Sequence, residues 1–372
     1  MSPDFLGQPR ARVPVVVVTG IDDAAISAAM ISLQFGAPEA VAVRHRIDAE
    51  RAVLVRTVSD LGGVVEHEEI PLEHVCVPCA IREDIVPALQ RLAAQGRWRS
   101  MIAGLPVSAE ATQVCRSLGW NPSNAPQPSV AGVVAALDGA RIADDLLGDE
   151  LLDERGLALS REDRRGVAEV ACSLVEYADA VALTAAAADA EWSLLRTLVR
   201  PGAAVLADTS LLDAEALIGA VRSPADVESW VAPSRAGDLA PVAQGGAWRL
   251  DLRSDRPLHP LRFRDELAVI GAGPRRSRGC FWLPSRPDHL CVWDGAGGQV
   301  SIGIAPRGPA VQRMQSRIVV IGLDDDSAER AAISAAFERS LVTEAELAAK
   351  GWRWAEGWDG FEPWLGPIAG VA

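Results

Sequence analysis

The segment His74-Val75-Cys76-Val77-Pro78-Cys79 holds the densest set of reactive side chains in the chain. Two cysteines at this spacing can place two thiolates on one soft cation in tetrahedral geometry. A closed site needs two further ligands. His74, His67 and Cys115 are the candidates, with Glu68, Glu69 and Glu73 alongside. An acidic, cysteine-bearing loop just ahead of a helix suits Zn²⁺. Two other chemistries compete for the same residues. Cys-x-x-Cys before a helix also makes a redox dithiol, and two cysteines can pack as small hydrophobes. A single pair with no second pair leaves the metal and packing readings level, with the redox reading behind them.

The second position with chemical potential is Thr19-Gly20-Ile21-Asp22-Asp23-Ala24-Ala25-Ile26-Ser27. A strand running into Thr-Gly and then a helix is where a P-loop cradles phosphates. That loop needs glycines for its nest of N–H groups, a lysine for the β/γ-phosphates and a hydroxyl for Mg²⁺. Here Ile26 takes the lysine slot, and Asp23 and Ala25 take interior glycine slots. Only Gly20 and Ser27 keep their chemistry, and two aspartates oppose a triphosphate. Lys350 is the only lysine among 36 basic residues, so no intact P-loop lies elsewhere. The turn reads as a tight connection with an aspartate N-cap.

These positions sit in a chain of 372 residues, long enough for two domains and a core that needs no disulfides. Hydrophobic residues make up 49% and charged residues 23%, which excludes a disordered chain or a collagen. A net charge of −14 argues against a general nucleic-acid binder, so no direct DNA binding is expected, and it leaves room for a basic protein partner. Met1 to Arg12 lacks the apolar stretch of a signal peptide, and no apolar run is long enough to span a membrane. A cytoplasmic protein is expected, and six cysteines there read as thiols or metal ligands rather than disulfides.

The elements that position these residues alternate. Val13 to Val18 reads as a buried parallel strand feeding a helix at Ala24 to Phe35. A strand at Ala40 to Val43 is followed by a helix expected over Asp48 to Leu61. Gly62-Gly63 breaks the chain before an extended Val64 to Glu66. Ile81 to Gln95 has helical spacing, and strands are expected at Met101 to Gly104, Val130 to Leu137, Ala180 to Leu183 and Ala204 to Leu206. Helices are expected at Ser160 to Tyr177 and Leu211 to Val221. This is an α/β, doubly wound pattern. Ser, Pro, Gly and Gln collect between Arg222 and Gly246, which places a linker there. Beyond it, short strands at Cys280 to Leu283, Leu290 to Trp293, Gln299 to Ile304 and Arg317 to Ile321, flanked by helices at Leu261 to Val269 and Ser327 to Glu338, suggest a small α+β domain.

The combination resembles the CobW-like GTPases, a class of P-loop proteins. Cys76-Val77-Pro78-Cys79-Ala80-Ile81-Arg82-Glu83-Asp84 is similar to their Cys-x-Cys-Cys metal signature followed by Arg-Glu-Asp, with Pro78 in place of the middle cysteine. Arg256-Pro257-Leu258-His259-Pro260, Arg278-Gly279-Cys280-Phe281-Trp282-Leu283 and Arg317 to Asp324 resemble motifs of the family's C-terminal domain. The resemblance implies a degenerate P-loop domain over 1–230, a linker over 231–247 and a CobW C-terminal domain over 248–372. It departs from the family where Thr184-Ala185-Ala186-Ala187-Ala188-Asp189 replaces the guanine-reading Asn-Lys-x-Asp. GTP binding and hydrolysis are therefore doubtful.

Within the family, the branch resembled most is the actinobacterial factor that recruits a ribosome hibernation protein under zinc starvation. That resemblance implies a non-hydrolysing, zinc-responsive regulator with a hibernation factor and the ribosome as partners. The alternative it leaves is a GTP-dependent zinc metallochaperone. In the second domain, Cys280 and Cys291 with His259 and His289 form a weaker metal candidate, and buried strand cysteines are the better reading. Trp352, Trp354, Trp358 and Trp364 are expected to lock the tail onto the sheet, and Asp324-Asp325-Asp326 reads as a solvated turn.

Overall fold

The computed structural model describes residues 12–120, 127–160, 163–234, 237–305, 314–323, 327–350, 354 and 358–368. Strand β1, Val13–Gly20, is the axis of the first sheet, and Val15 to Val18 are each fully buried. Val15 and Val17 face one apolar layer and Val16 and Val18 the other, the pattern of a strand covered on both sides. Helix α1, Asp23–Gly36, leads to β2, Ala40–Asp48. β3, Val53–Asp60, and β4, Gly63–Pro71, then fold back as antiparallel hairpins.

The helix expected over Asp48 to Leu61 is thus a strand. Leu54, Arg56 and Val58 alternate inward at period two, and Val53, Val55, Thr57 and Val58 are β-branched. Ala49 to Arg51, helix formers by composition, sit in the turn instead.

Helix α2, Val77–Ala80, a π-helical turn, Ile81–Ile85, and α3, Val86–Gln95, run without a break into the connection to β5, Ser100–Gly104. Helix α4, Ala111–Trp120, precedes β6, Pro128–Leu137. Helices α5, Ile142–Leu147, and α6, Val167–Tyr177, lead to β7, Ala180–Leu183. Then come α7, Asp189–Leu198, β8, Ala204–Leu206, α8, Ala214–Gly219, and α9, Pro224–Val231. The sheet order is β4-β3-β2-β5-β1-β6-β7-β8, parallel from β2 to β8. Helix α6 begins seven residues later than the sequence reading, and α8 is shorter. Helix α9, capped by Ser223, occupies part of the polar stretch after Arg222.

The second domain is an antiparallel sheet of order β12-β11-β10-β13-β9, built from β9, Trp248–Ser254, β10, Arg275–Phe281, β11, Cys291–Ala296, β12, Gln299–Ile304, and β13, Ser316–Gly322. Helices α10, Pro260–Gly271, and α11, Ser327–Ser340, cover one face through Phe263, Ile270, Ile333 and Phe337. Short helices α12, Glu344–Lys350, and α13, Glu362–Leu365, follow. The other face turns Val319 and Ile321 into the apolar layer of α6 and α7. The chain is therefore α/β, a mostly parallel eight-stranded sheet followed by an antiparallel five-stranded sheet with helices. Among the described residues, no helix is long and apolar enough to cross a membrane.

A buried charge cluster joins helix α6 of the first domain to the second sheet. Glu176, 3% exposed on α6, accepts from Arg276 Nε and Nη2 at 2.8 and 3.0 Å and from Arg278. Arg276 also reaches Asp294. Burial opposes the charge on Arg276, but Asp294 and Glu176 outweigh it and hold its pKa well above the ordinary value. Removing one member of such a cluster strands its partners in the interior. Glu176→Ala is expected to cost about 3–5 kcal/mol in urea unfolding followed by tryptophan fluorescence. A loss below about 1 kcal/mol would place this cluster with solvent-exposed ion pairs.

Candidate metal centre

Cys76 is the N-cap of α2, with extended backbone, and its Sγ accepts from the N–H of Cys79 at 3.1 Å. Pro78 falls in the first turn, where its missing N–H costs nothing. Cys76 is half-buried and Cys79 is buried, and a disulfide joins them, where the sequence suggests thiols. The turn into the helix brings their Cα atoms to 5.3 Å, within bridging distance, while Cys115, Cys172, Cys280 and Cys291 are free. The spacing therefore brings the two sulfurs together at the mouth of a nineteen-residue run, from Val77 to Gln95, of α, π and α helix. Ile81, Ile85, Leu89 and Leu92 bind that run to the sheet.

One buried carboxylate fixes the run's register. Asp84, in the π-helical turn, is 7% exposed. It accepts from Arg56 of β3 and lies 3.1 Å from His45 Nε2 of β2. Arg56 spans from Asp84 to Glu68 of β4. Burial pushes the pKa of His45 down, opposed by its hydrogen bond to Asp84. A neutral His45 meets the carboxylate by carrying its proton on Nε2, and its Nδ1 has no partner among the described residues. Neither His45 nor Arg56 was singled out in the sequence. The available signal was Arg44-His45-Arg46, three basic residues inside an otherwise apolar strand.

The other proposed ligands lie apart. His74 is exposed on the loop before Cys76, its carbonyl accepting from the Cys76 N–H. His67 is exposed on β4 with Nδ1 3.0 Å from Thr57 Oγ1. Cys115 lines a separate cavity of about 240 Å³ with Tyr177 and Arg222, and burial pushes its thiol up to about 11. Among the described residues, no group of three or more His, Cys, Asp or Glu is placed to hold a metal. Reduction of the disulfide would free two sulfur ligands and leave the rest of a tetrahedral set open. A cleft of about 330 Å³ beside Cys76 includes Glu110, Asp163 and Ser108. Ser108 has a left-handed backbone, φ 62°, and a buried hydroxyl without a partner among the described residues.

In the second domain, β10 and β11 pair antiparallel. Their register sets Phe281 opposite Cys291 and Cys280 opposite Val292, so the two thiols face opposite sides of the sheet. Burial raises them to about 11 and about 12. His259 caps α10 and meets Trp354 edge-on at 5.2 Å. Trp354 is buried, but Trp358 and Trp364 are exposed. The tail is held instead by Asp359, paired with Arg286 and Ser285. Trp352 and Asp324 to Asp326 lie outside the described residues.

The turn after β1 does not fit a triphosphate. The Asp22 carboxylate accepts from the Ala25 N–H at 2.6 Å, filling the helix N-terminus that would meet a phosphate. Asp23 is held by Arg44 at 2.6 Å and by Arg46 at 2.8 Å. Ile26, in the lysine slot, is fully buried. Ser27 donates to the Asp23 carbonyl. Gly20 lets the Ala136 carbonyl pass where a Cβ would lie 2.5 Å away, and Gly139 does the same for Ala185.

Residues 248–341 match the model of the cobalamin synthesis protein CobW C-terminal domain, so the second domain is a domain of that class. Over 311 residues the chain is 27% identical to zinc chaperone Rv0106 of Mycobacterium tuberculosis, covering 79% of this chain and 73% of that protein. It is equally similar to Mb0109 of Mycobacterium bovis, over the same shares. Among solved structures, the Zn(II)-bound YjiA GTPase from E. coli aligns over 89% of this chain and 99% of its own, with 17% identity and a TM-score of 0.31. A Zn(II)-bound triple mutant of YjiA gives 14% identity over the same shares and 0.33. Both scores are too low to bear on the site.

The His45 environment has a pH consequence. Its folded pKa lies below the ordinary 6.5, so below that pH the unfolded chain binds a proton that the folded chain refuses. Stability from this group is complete above about pH 6.5 and falls as the pH drops toward the depressed folded value. His45→Asn is expected to flatten that part of the curve, read as urea midpoints between about pH 5 and 8. Equal slopes in both proteins would show that His45 ionises freely in the fold.

Proposed function

We propose that this chain is a zinc-handling protein of the CobW class, a metallochaperone whose cargo is taken by Cys76 and Cys79. The observation that carries this reading is the meeting of those two sulfurs at the start of a helix, in a chain similar over 311 residues to a protein called a zinc chaperone. In the reduced state the pair offers two soft ligands. The remaining positions are left to solvent, to the exposed His74 and Glu73 loop or to a partner. An incomplete set suits a protein that passes metal on, since an arriving ligand finds an open position. Asp84, through Arg56 and His45, keeps the helix behind the pair from shifting. The turn after β1 gives nucleotide no role in the mechanism.

The same relative favours the chaperone over a regulator that recruits a ribosome hibernation factor at low zinc. In that second reading the partner would dock according to whether Cys76 and Cys79 carry metal.

Competition against a chromophoric chelator tests the site on reduced protein. One zinc per chain is expected in the wild type and none in Cys76→Ser/Cys79→Ser. Affinity should rise with pH, because thiols lose protons on binding. Equal binding by the double mutant would sink the assignment. GTP is not expected to turn over at the turn after β1, and Mg²⁺-dependent hydrolysis would overturn the account of that turn.

A further inference from the structure

A polar cavity of about 370 Å³ lies at the end of the first sheet opposite to the turn after β1. It is lined by Arg196 and Arg200 at the end of α7, by Trp230 of α9, by Ala240 and Pro241 of the linker and by Arg249 of β9. Among the described residues no aspartate or glutamate lines it, although acidic residues outnumber basic ones by 50 to 36 in the chain. Arg196 and Arg249 form no ion pair among the described residues. Arg200 pairs with Asp179, yet its buried Nε has no partner there.

We propose that this cavity is a binding site for a phosphate-class oxyanion carrying two or more negative charges. Guanidinium forks match phosphate oxygens two at a time, and the two here without an ion pair among the described residues, Arg196 and Arg249, offer charge for a doubly charged ion. The volume falls within the range of small-ligand sites. Arg249 lacks a counter-ion in the cavity: burial depresses its pKa, Asp251 opposes this, and Arg317 adds to the depression. A bound oxyanion would relieve that crowding. Because the walls come from the first domain, the linker and the second domain, the ligand would tie all three together. The site is independent of Cys76, Cys79 and zinc.

Isothermal titration of the full chain at fixed ionic strength tests the site with three probes: inorganic phosphate, inorganic pyrophosphate and GDP. Saturable one-to-one pyrophosphate binding is expected, weakened about tenfold or more in Arg196→Ala and in Arg249→Gln. Arg91→Ala, on α3, is expected to bind as wild type. Arg196 is exposed, so its variant should unfold at the wild-type midpoint without ligand, which separates lost binding from lost folding. GDP binding tighter than pyrophosphate, with the same loss in both variants, would identify a nucleoside diphosphate as the ligand. Pyrophosphate tighter than GDP would identify a free polyphosphate. No saturable binding of any probe, or binding unaffected by both variants, overturns the proposal.

Discussion

Asp84 is a carboxylate in the interior, and a carboxylate there must be matched or it will not stay charged. Arg56 and His45 match it, and both come from the side of the sheet where the strands turn antiparallel. The two hairpins β2–β3 and β3–β4 exist to no catalytic purpose visible in their own residues. Their effect is to bring a guanidinium and an imidazole under the π-helical turn. From there the helix has one register, Cys79 packs inward, and Cys76 is left half-buried at the mouth. The spacing across the helix start brings the two sulfurs together, and the fixed helix sets which way the pair faces.

The nearly complete absence of lysine shapes the rest of the charge architecture. Arginine offers a rigid fork of donors that one carboxylate does not exhaust. Arg56 joins Asp84 to Glu68, and Arg276 joins Glu176 to Asp294. Arg286 ties Asp359 to the backbone at Leu365 and Gly366, holding the tail. At β2 the same chemistry is turned on the first helix. Arg44 and Arg46 project from the strand face opposite His45 and grip Asp23. A side-chain anion with two guanidiniums thus occupies the region a phosphate would need.

The interface between the domains combines both kinds of force. The second sheet contributes Val319 and Ile321 to an apolar layer shared with α6 and α7, which is non-directional. The Glu176 cluster adds direction, because buried donors and acceptors must align to offset their lost hydration. Together they define one seating of the second sheet, and the arginine-lined cavity beside the linker follows from that seating.

Local patterns in the sequence determined much. The valine run of β1, the Thr-Gly turn, the helix after Cys79 and the strand–helix order of the second domain depend on side-chain periodicity, which neighbours in sequence set. The Cys-x-x-Cys pair was legible for the same reason: three residues across a helix start place two sulfurs side by side. Only tertiary structure decided which residues support them. The Asp48 to Leu61 stretch is helical by composition, and becomes a strand because β2 offers its free edge and a layer that Leu54 and Val58 can enter. The separation of Cys115 and His67 from Cys76 depends on which face of α4 and which edge of the sheet they occupy. Asp84, Arg56 and His45 lie 28 and 39 residues apart along the chain, in pairings no local pattern encodes. Periodicity fixes which way a side chain points within its own element; what it points at is settled when the elements pack.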